Sequence, residues 1–370
     1  MTTRVEQSLE AQLGRMDRVR TAREARAILR DEHITMSHGS GGKATHTLID
    51  ALFIPAFANP SLDGFSDSSV LSLNEDVPEV GGNFAFTTDS YVVSPLFFPG
   101  GDIGKLAING TINDLAMSGA RPICLSLGLI LEEGLDMSVL RRVIDSLAEA
   151  SSAAGVPIVT GDTKVVPRGK ADQLFINTSG VGAMLPGVSL SAHSIVPGDV
   201  VLVSGDLGDH GLAVMLAREA LELETDIRTD SAPLHLLAAA ILKAAPGTRL
   251  LKDPTRGGLA TTLNEIARRA GVGIAVSEQL IPVKLEVRGA CEILGLDPLQ
   301  IANEGKLVAI VPAGEAGAAL AAMRALPVGA MSAIIGEVTA EPEGMVLLKT
   351  PIGGSRVLDM LVGDPLPRIC

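Results

Sequence analysis

Short apolar runs that end in turns rich in glycine and aspartate recur along this chain, with amphipathic helical segments between them. Such runs occur at 84–88 and 122–131 in the first half and at 200–203 and 307–311 in the second. Strand-length runs bounded by turns predict β-strands, and apolar residues at helical spacing predict helices packed on them. The alternation therefore favours a mixed α+β fold, and 370 residues are enough for two domains of ordinary size.

The predicted elements divide into two halves that meet near 196–199, where Val-Pro-Gly-Asp reads as a linker and a new start. We predict strands at 84–88, 122–131, 157–160, 174–184, 200–203, 272–276, 307–311, 334–338 and 345–348. We predict helices at 45–53, 102–118, 137–154, 212–221, 233–245 and 257–269. We expect a variable extension at 1–33, an N-terminal domain at 34–193, a C-terminal α/β domain at 194–355 and a flexible tail at 356–370.

The composition argues against several classes of protein. Hydrophobic residues make up 46% of the chain and the mean hydropathy is +0.34, but aromatic residues are only 2%, so aliphatic side chains must fill the core. A net charge of −13 argues against a nucleic-acid binder, which needs a basic surface. No apolar run reaches the roughly 18 residues that a membrane span requires. The three scattered cysteines favour a reducing compartment, and hence the cytoplasm, over a disulfide framework or a zinc site.

The first 30 residues carry seven arginines and four acidic residues. Transit peptides are rich in arginine but avoid acidic residues, and this segment has no apolar signal-peptide core. We interpret it as a solvated helical extension.

The chain ends in Pro367-Arg368-Ile369-Cys370, which places a thiol at the last position. A terminal thiol on a short tail can leave one site and enter another, as on a carrier arm that is loaded with a small group. The alternative is a frayed tail with an incidental cysteine. The tail sequence alone leaves both interpretations open.

Four aspartates each lie at the end of an apolar run, namely Asp67, Asp89, Asp114 and Asp162. Mg²⁺ prefers oxygen ligands and keeps waters and phosphate oxygens, so it needs only a few protein carboxylates. Several carboxylates that converged without a cation would repel one another. For any single aspartate a helix cap or a turn is the simpler interpretation, but the set of four predicts a metal site.

Two polar features extend this candidate site. On the predicted helix at 102–118, Lys105, Asn109 and Asn113 recur every four residues, and we expect this polar face to form a wall of the site. Gly161-Asp162-Thr163-Lys164 follows an apolar run, so we expect a tight turn at the end of a strand. Its lysine could neutralise charge on a transferring phosphoryl group.

Three further loops carry polar side chains with more than one interpretation. The glycine-rich loop around Lys43 could wrap phosphates with its backbone N–H groups. It does not match the P-loop pattern and follows no clear strand, so we interpret it as a mobile lid and not as a P-loop. The stretch from Asp253 to Arg256 opens a helix whose N-terminus either holds an anion or is simply capped. Glu304 is either a general base or an exposed turn residue. His210 lies in a glycine-rich turn, and the sequence does not decide whether it has a role in the site.

A family resemblance covers the chain from about residue 34 to its end. The motifs that carry it are Ser37-His38-Gly39-Ser40-Gly41-Gly42, Thr88-Asp89-Ser90-Tyr91-Val92-Val93, Pro95-Leu96-Phe97-Phe98-Pro99-Gly100-Gly101, Asn113-Asp114-Leu115-Ala116, Gly161-Asp162-Thr163-Lys164-Val165-Val166, Asp253-Pro254-Thr255-Arg256-Gly257-Gly258, Ala302-Asn303-Glu304-Gly305-Lys306 and Pro367-Arg368-Ile369-Cys370. They resemble the HypE family, the carbamoyl dehydratases of NiFe-hydrogenase maturation. The terminal motif is highly specific, whereas the Gly-Asp-Thr-Lys and Asn-Asp motifs are shared with a superfamily that includes aminoimidazole ribonucleotide synthetase, selenophosphate synthetase and thiamine-monophosphate kinase. The first 30 residues depart from the family pattern.

The resemblance implies the fold of aminoimidazole ribonucleotide synthetase. Strands of the N-terminal domain would pair with those of a second subunit in a homodimer barrel, and ATP would lie between the two domains. It also implies that the transferase HypF loads a carbamoyl group onto Cys370. ATP and Mg²⁺ would then serve to dehydrate the S-carboxamide to a thiocyanate, whose cyanide passes to iron held by the HypC–HypD complex.

The resemblance also implies roles for single residues. Asp67, Asp89, Asp114 and Asp162 would hold Mg-ATP. Lys164 would assist at the transferring phosphate, and we predict that Glu304 takes the nitrogen-bound proton. The other residues expected at the nucleotide are Lys43, Asn113, Gly161, Thr163, Asp253 and Arg256. The alternatives are an enzyme of the same superfamily that phosphorylates a free small molecule, and a non-catalytic thiol carrier, which the full set of acidic and lysine residues argues against.

Overall fold

Two large β-sheets and their flanking helices make up most of the structure. The computed structural model describes residues 35–39, 42–53, 69–72, 82–219, 225–361 and 369. The predicted site residues Asp67 and Cys370 lie outside these ranges. None of the described helices combines the length and the apolar character that a bilayer crossing requires.

The first half contains one sheet and a short ribbon. Its strands are β1 (Ser69–Ser72), β2 (Asn83–Tyr91), β3 (Phe97–Phe98), β4 (Gly101–Asp102), β5 (Ala120–Glu132), β6 (Ile158–Val166) and β7 (Leu174–Met184). The five-stranded sheet has the order β1–β2–β7–β5–β6, and β3 pairs with β4 alone. Only β5 and β6 are parallel neighbours in this sheet. Within the described residues β6 pairs only with β5, so it forms an edge of the sheet.

The helices of the first half are α1 (Lys43–Leu48), which continues into a π-helical turn at Ile49–Phe53, α2 (Ile103–Met117) and α3 (Met137–Ala154). Helix α2 begins at Asp102, whose Oδ1 accepts hydrogen bonds from the backbone N–H of Gly104 at 2.7 Å and of Lys105 at 3.1 Å. This N-cap satisfies two donors that the first turn leaves without helical partners. Gly119, at φ +81°, follows the helix in a backbone conformation that favours glycine.

Helix α2 is buried along most of its length. It packs on β2 and β7 of the first sheet and on α3, and it also contacts the second half of the chain. Two of the three polar residues expected to form a wall of the site are therefore covered by the second half of the chain, and the wall itself stays a prediction. Asn109 and Asn113 are 2% and 1% exposed and point into the contact between the two halves.

The second half contains a seven-stranded sheet. Its strands are β8 (Val200–Val203), β9 (Leu250–Lys252), β10 (Gly273–Ser277), β11 (Val308–Val311), β12 (Ala333–Thr339), β13 (Val346–Lys349) and β14 (Ser355–Val357), in the order β14–β13–β10–β12–β8–β11–β9. Its helices are α4 (Asp209–Glu219), α5 (His235–Ala244), α6 (Gly258–Ala270), α7 (Leu285–Leu294) and α8 (Ala316–Arg324). The central strands β8, β10 and β11 are almost fully buried, as their continuous aliphatic runs predict.

The predicted mixture of strands and helices is confirmed in both halves. The predicted strand at 174–184 has those bounds, and the predicted helix at 137–154 also has its predicted bounds. Sequence reasoning missed β1, β3, β4, β9, β14, α7 and α8.

The expected turn at 161–164 is wrong, because these residues lie inside β6. They run parallel to β5, with Gly161 opposite Leu127 and Lys164 opposite Ile130. The β-branched residues after Asp162 continue the strand beyond the glycine. Glycine is required at 161, since an added Cβ would collide with the Leu127 carbonyl oxygen.

Candidate active site

Acidic side chains from both halves gather where they meet. Asp89 lies near the end of β2, Asp253 directly follows β9, and Glu304 precedes β11. The loop around Asp253 is tied to the loop around Glu304 by Asn303, whose backbone N–H and Nδ2 both donate to the Pro254 carbonyl, at 3.1 and 3.0 Å. The two motifs that the sequence singled out in the second half therefore form one polar region.

Glu304 is a deeply buried carboxylate of this region, with 4% of its surface exposed. Its backbone N–H donates to Asp230 Oδ1 at 3.0 Å, but its side-chain Oε1 has no hydrogen-bond partner among the described residues. Burial, together with the carboxylates of Asp253, Asp89 and Asp230, raises the pKa of Glu304 well above its usual range, and Arg256 opposes this only in part. In the ligand-free protein Glu304 therefore holds its proton to a higher pH than an ordinary glutamate does.

Asp89 is exposed to solvent near the end of β2. Desolvation by the surrounding protein nevertheless raises the pKa of its carboxyl. The Ser90 N–H, which donates to Asp89 Oδ1 at 2.7 Å, and the Arg256 guanidinium act in the opposite direction. A solvent-exposed carboxylate at this position is accessible to a ligand.

Tyr91 connects the carboxylates of the first half to Glu304. Its ring is buried, and burial and the negative charges of Asp89, Asp114 and Glu304 raise the pKa of its phenol well above the usual value. Asp114 therefore lies within electrostatic reach of the same region. Its Oδ2 accepts a hydrogen bond from Thr87 Oγ1 at 2.9 Å, and its side chain is half-buried at the end of α2.

Asp230 was not predicted, although it holds the Glu304 backbone. Its Oδ2 pairs with Lys306 Nζ at 3.2 Å. Gly305 must be glycine here, because an added Cβ would collide with the Asp230 carbonyl oxygen. A signal was present in the sequence: Thr229-Asp230-Ser231 repeats the tripeptide Thr88-Asp89-Ser90 of the first half.

Asp253 is not the N-cap residue of the helix that follows it. The residue at the N-cap of α6 is Gly257, at φ +78°, which has no side chain to cap the helix. Asp253 is 6% exposed, and its charge acts on Glu304. The guanidinium of Arg256 acts on both Asp89 and Glu304, which makes it the cation common to the two carboxylates.

Other predicted site residues lie apart from this region. Asp162 and Lys164 form a pair of 2.7 Å on the exposed strand β6, with side chains 68% and 71% exposed. The Lys164 hydrogen bond lowers the pKa of Asp162. Gly161 and Thr163 lie on the same strand. Lys43 Nζ pairs with Asp359 Oδ2 at 3.1 Å near the end of the second half.

Asn113 lies beside Glu304 but has its polar atoms engaged by the protein. Its Nδ2 donates to the carbonyls of Ala232 and Glu304 at 3.1 and 3.2 Å, and its Oδ1 accepts from the Leu234 N–H at 2.7 Å. All of these partners lie in the second half. A role of Asn113 in nucleotide binding stays a prediction.

Within the described ranges, no group of three or more histidine, cysteine, aspartate or glutamate side chains is close enough to hold a metal ion. Asp89, Asp114 and Asp162 therefore do not form a complete site in that part of one chain. The predicted site of four aspartates also includes Asp67, which lies outside those ranges, and it stays a prediction.

The last described residue of the chain, Ile369, lies inside the protein. It is 4% exposed, forms an antiparallel β-bridge with Val93 just after β2, and belongs to the apolar core that includes Phe98. Its carbonyl oxygen is 2.7 Å from His210 Nε2 at the start of α4. Asp230 acts electrostatically on His210, so this contact neighbours the acidic region.

Comparisons with known proteins cover both halves of the chain. Family models for the N-terminal and C-terminal domains of AIR synthase related protein match residues 66–184 and 196–349. The chain is 53% identical over 342 residues to the carbamoyl dehydratase HypE of Rhodobacter capsulatus, an alignment that covers 92% of this chain and 99% of that protein. Its structure is similar to HypE in a crystal structure of a HypE–HypF complex, with a TM-score of 0.79, 45% identity and coverage of 85% of this chain and 99% of that one. A crystal structure of HypE in complex with ATP gives a TM-score of 0.76 at 48% identity, over 91% of this chain and all (100%) of that one.

Proposed function

The chain belongs to the HypE family of carbamoyl dehydratases, and from that premise we propose that it is a hydrogenase maturation enzyme that dehydrates an S-carboxamide on its own Cys370. ATP drives the reaction, and the product is a protein thiocyanate that supplies a cyanide ligand for iron. Because the acceptor thiol has to stay reduced, we assign the activity to the cytoplasm.

The observation that carries this proposal is the buried position of Ile369. The residue before the terminal cysteine is held by Val93 and His210, and His210 neighbours Asp230, which binds the Glu304 backbone. An incidental frayed tail would not bury its penultimate side chain beside an acidic region. The contact supports a tail that enters the site of its own chain.

The chemistry requires activation of a poor leaving group. Transfer of the γ-phosphoryl group of ATP to the amide oxygen forms a P–O bond and removes one N–H proton. The C–O bond then breaks, the second N–H proton leaves, and the carbon becomes the nitrile of a thiocyanate, with ADP and phosphate as the other products. Water would attack the activated carbon, so the reaction needs a closed site.

Glu304 is suited to accept a nitrogen-bound proton. Its Oε1 is buried and finds no hydrogen-bond partner in the part of the chain that the structure describes, so it is available to a substrate N–H. The raised pKa of Glu304 means that its carboxylate, once formed, is a stronger base than that of an ordinary glutamate. The guanidinium of Arg256, which lowers the pKa of Glu304, would keep that charge tolerable.

Mg-ATP fits the residues of the acidic region. Asp89 is exposed to solvent, and its raised pKa, like that of Glu304, reflects an environment in which a cation would stabilise the carboxylate. When bound, Mg²⁺ would neutralise charge on the phosphate oxygens. We propose Asp67, Asp89, Asp114 and Asp162 as its ligands. We propose that the nucleotide and its transferring phosphate are contacted by Lys43, Asn113, Gly161, Thr163, Lys164, Asp253 and Arg256.

The proposed function requires partners. A transferase must load the carbamoyl group, and the similar HypE protein in complex with HypF supports HypF in that role. The cyanide must then pass to an iron acceptor, for which we propose the HypC–HypD complex.

We also propose a homodimer formed through the first sheet. Edge strand β6 exposes Val159 and Val165 by 61% and 66%, and the neighbouring β5 exposes Ile130 by 43%. Apolar side chains on a free sheet edge favour association with another strand. Asp162 and Lys164 lie on the same strand, so we expect their contribution to the nucleotide site to depend on the dimer.

Asp114→Asn tests the proposed activity. The variant should accept a carbamoyl group on Cys370 from HypF but should not lose water when ATP is added, because the amide keeps the shape of the carboxylate and lacks its charge. Peptide mass mapping of the C-terminal fragment reads both steps. Formation of thiocyanate by Asp114→Asn at the wild-type rate would contradict the metal assignment.

The second candidate function is phosphorylation of a free small molecule by the same superfamily fold. The AIR synthase related domains are compatible with it, whereas relatives of 51–54% identity named carbamoyl dehydratase HypE favour the dehydratase. Deletion of Cys370 separates the two functions: product formation on a free substrate would survive the deletion, whereas the dehydratase reaction would be lost.

A further inference from the structure

A chain of hydrogen bonds leads from the interior of the protein to the backbone of the tail. Ser231 N–H donates to Thr229 Oγ1 at 3.1 Å, Thr229 Oγ1 is 2.8 Å from His210 Nδ1, and His210 Nε2 is 2.7 Å from the Ile369 carbonyl oxygen. The loop that carries Thr229 and Ser231 is fixed by the Thr229 N–H, which donates to the Pro99 carbonyl at 2.9 Å. The last link contacts the residue to which Cys370 is attached.

The Ile369 carbonyl oxygen, at the end of this series of hydrogen bonds, determines which atom donates in each bond to His210. A carbonyl oxygen can only accept, so His210 Nε2 must carry a proton and donate it to Ile369. Burial lowers the pKa of His210 and favours the neutral ring. Nδ1 of a neutral ring with this tautomer accepts, so the Thr229 hydroxyl donates to it. The histidine is thus held in one orientation with a single donor aimed at the tail.

The contact lies between the two halves of the protein. His210 is fully buried at the start of α4 and packs edge-on against Phe98, with ring centroids 5.6 Å apart. The Ile369 side chain joins the same apolar cluster, and Val93 pairs with it as a short β-bridge. The apolar cluster provides affinity for the side chain, and the histidine fixes the backbone.

We propose that His210 is a positioning residue that docks the tail by its Ile369 carbonyl and so presents the carboxamide on Cys370 to the acidic region. This inference rests on the proposed function, because it assigns to His210 the step in which the loaded tail enters the site. Loading by a separate transferase would require the thiol next to the buried Ile369 to leave this contact, so carbamoylation would not use it. His210 therefore acts on dehydration and not on loading.

The test compares full-length wild type with His210→Ala, His210→Gln and the control His193→Ala, which alters an exposed histidine. Each protein is carbamoylated with HypF and carbamoyl phosphate, and the rate of water loss after addition of ATP is followed by intact mass. His210→Ala should lower this rate about tenfold or more, since a buried hydrogen bond and its orientation are lost. His210→Gln should recover part of the rate, because its amide retains a donor.

A second readout reports docking without catalysis. The rate of Cys370 alkylation by a maleimide, followed by peptide mapping, should rise in His210→Ala, whereas carbamoylation and nucleotide affinity should match wild type. If His210→Ala does not fold, Ile369→Ala supplies the same test from the tail side and should also speed alkylation and slow dehydration. Wild-type rates of water loss and alkylation in folded His210→Ala would overturn the inference. A wild type that loses no water with ATP would instead overturn the proposed function.

Discussion

Replacement of Asn113 by alanine removes a buried amide that joins the two halves of the protein. Its Oδ1 accepts from the Leu234 N–H at 2.7 Å, and its Nδ2 donates to the carbonyls of Ala232 and Glu304 at 3.1 and 3.2 Å. The residue is 1% exposed, so water has little access to these groups. In the variant, one N–H and two carbonyls lose this partner.

The expected cost follows from those three groups. A buried polar group that loses its partner costs about 1–3 kcal/mol, and carbonyls with a second lone pair fall at the lower end. We therefore expect Asn113→Ala to lower the free energy of unfolding by about 3–6 kcal/mol, a large share of the ~5–15 kcal/mol that stabilises a typical domain. The matched control Asn109→Ala loses one bond, from Nδ2 to Ser231 Oγ at 3.1 Å, and should cost about 1 kcal/mol.

Equilibrium urea unfolding measures the change in the free energy of unfolding for both Asn113→Ala and Asn109→Ala. Far-UV circular dichroism is the suitable probe, because the chain has no tryptophan and a single tyrosine. ATP titration of the same samples separates docking of the halves from nucleotide contact. A free energy of unfolding for Asn113→Ala within about 0.5 kcal/mol of wild type would refute the reasoning. A loss of ATP affinity without a loss of stability would instead support Asn113 as a nucleotide ligand.

Three further predictions follow from the site and the first sheet. Glu304→Gln should raise the free energy of unfolding by about 1–3 kcal/mol near neutral pH and abolish dehydration, because the amide keeps the shape of the carboxyl group and burial opposes ionisation of that group. Urea unfolding measures the first effect and the mass assay measures the second. A destabilised variant would contradict the prediction. Since the folded state raises the pKa of Glu304, wild-type stability should fall as pH rises from the usual glutamate pKa through the raised one. A pH series of urea unfolding in which Glu304→Gln shows the same stability slope as wild type would be evidence against this. Val159→Asp, on the exposed strand β6, should convert a dimer to a monomer, as measured by light scattering. The control Ile352→Asp changes a residue that is 96% exposed and lies away from β6, and it should leave the dimer intact. A dimer that survives Val159→Asp would rule out this sheet edge as its interface.

The sequence predicted elements whose signals are local. Apolar spacing identified α3, and the Asp102 cap with Gly119 identified both ends of α2. Short strands such as β9 and β14 were missed because three residues carry too little pattern, and each is defined by its neighbour in the sheet. Glycine and aspartate are typical turn residues, so the sequence predicts a turn from Gly161 to Lys164. In the structure, pairing with β5 holds this segment as a strand.

The site was predictable in part. Glu304, Asp253 and Arg256 come from separate motifs, and their convergence follows from tertiary contacts such as those of Asn303 with Pro254. Whether Glu304 was a base or a turn residue could not be decided locally, because its burial arises from the packing of both halves. Asp230 and His210 have roles that depend on which backbone groups lie opposite them, and a single sequence does not contain that information.

The most direct test of the central claim is the intact mass of the purified protein incubated with HypF, carbamoyl phosphate and ATP, with the modified residue located by peptide mapping. The account predicts a carbamoyl adduct on Cys370 that loses the mass of one water only when ATP is added. An unmodified Cys370 together with ATP consumption on an added small metabolite would contradict the account and favour a free-substrate enzyme of the same superfamily.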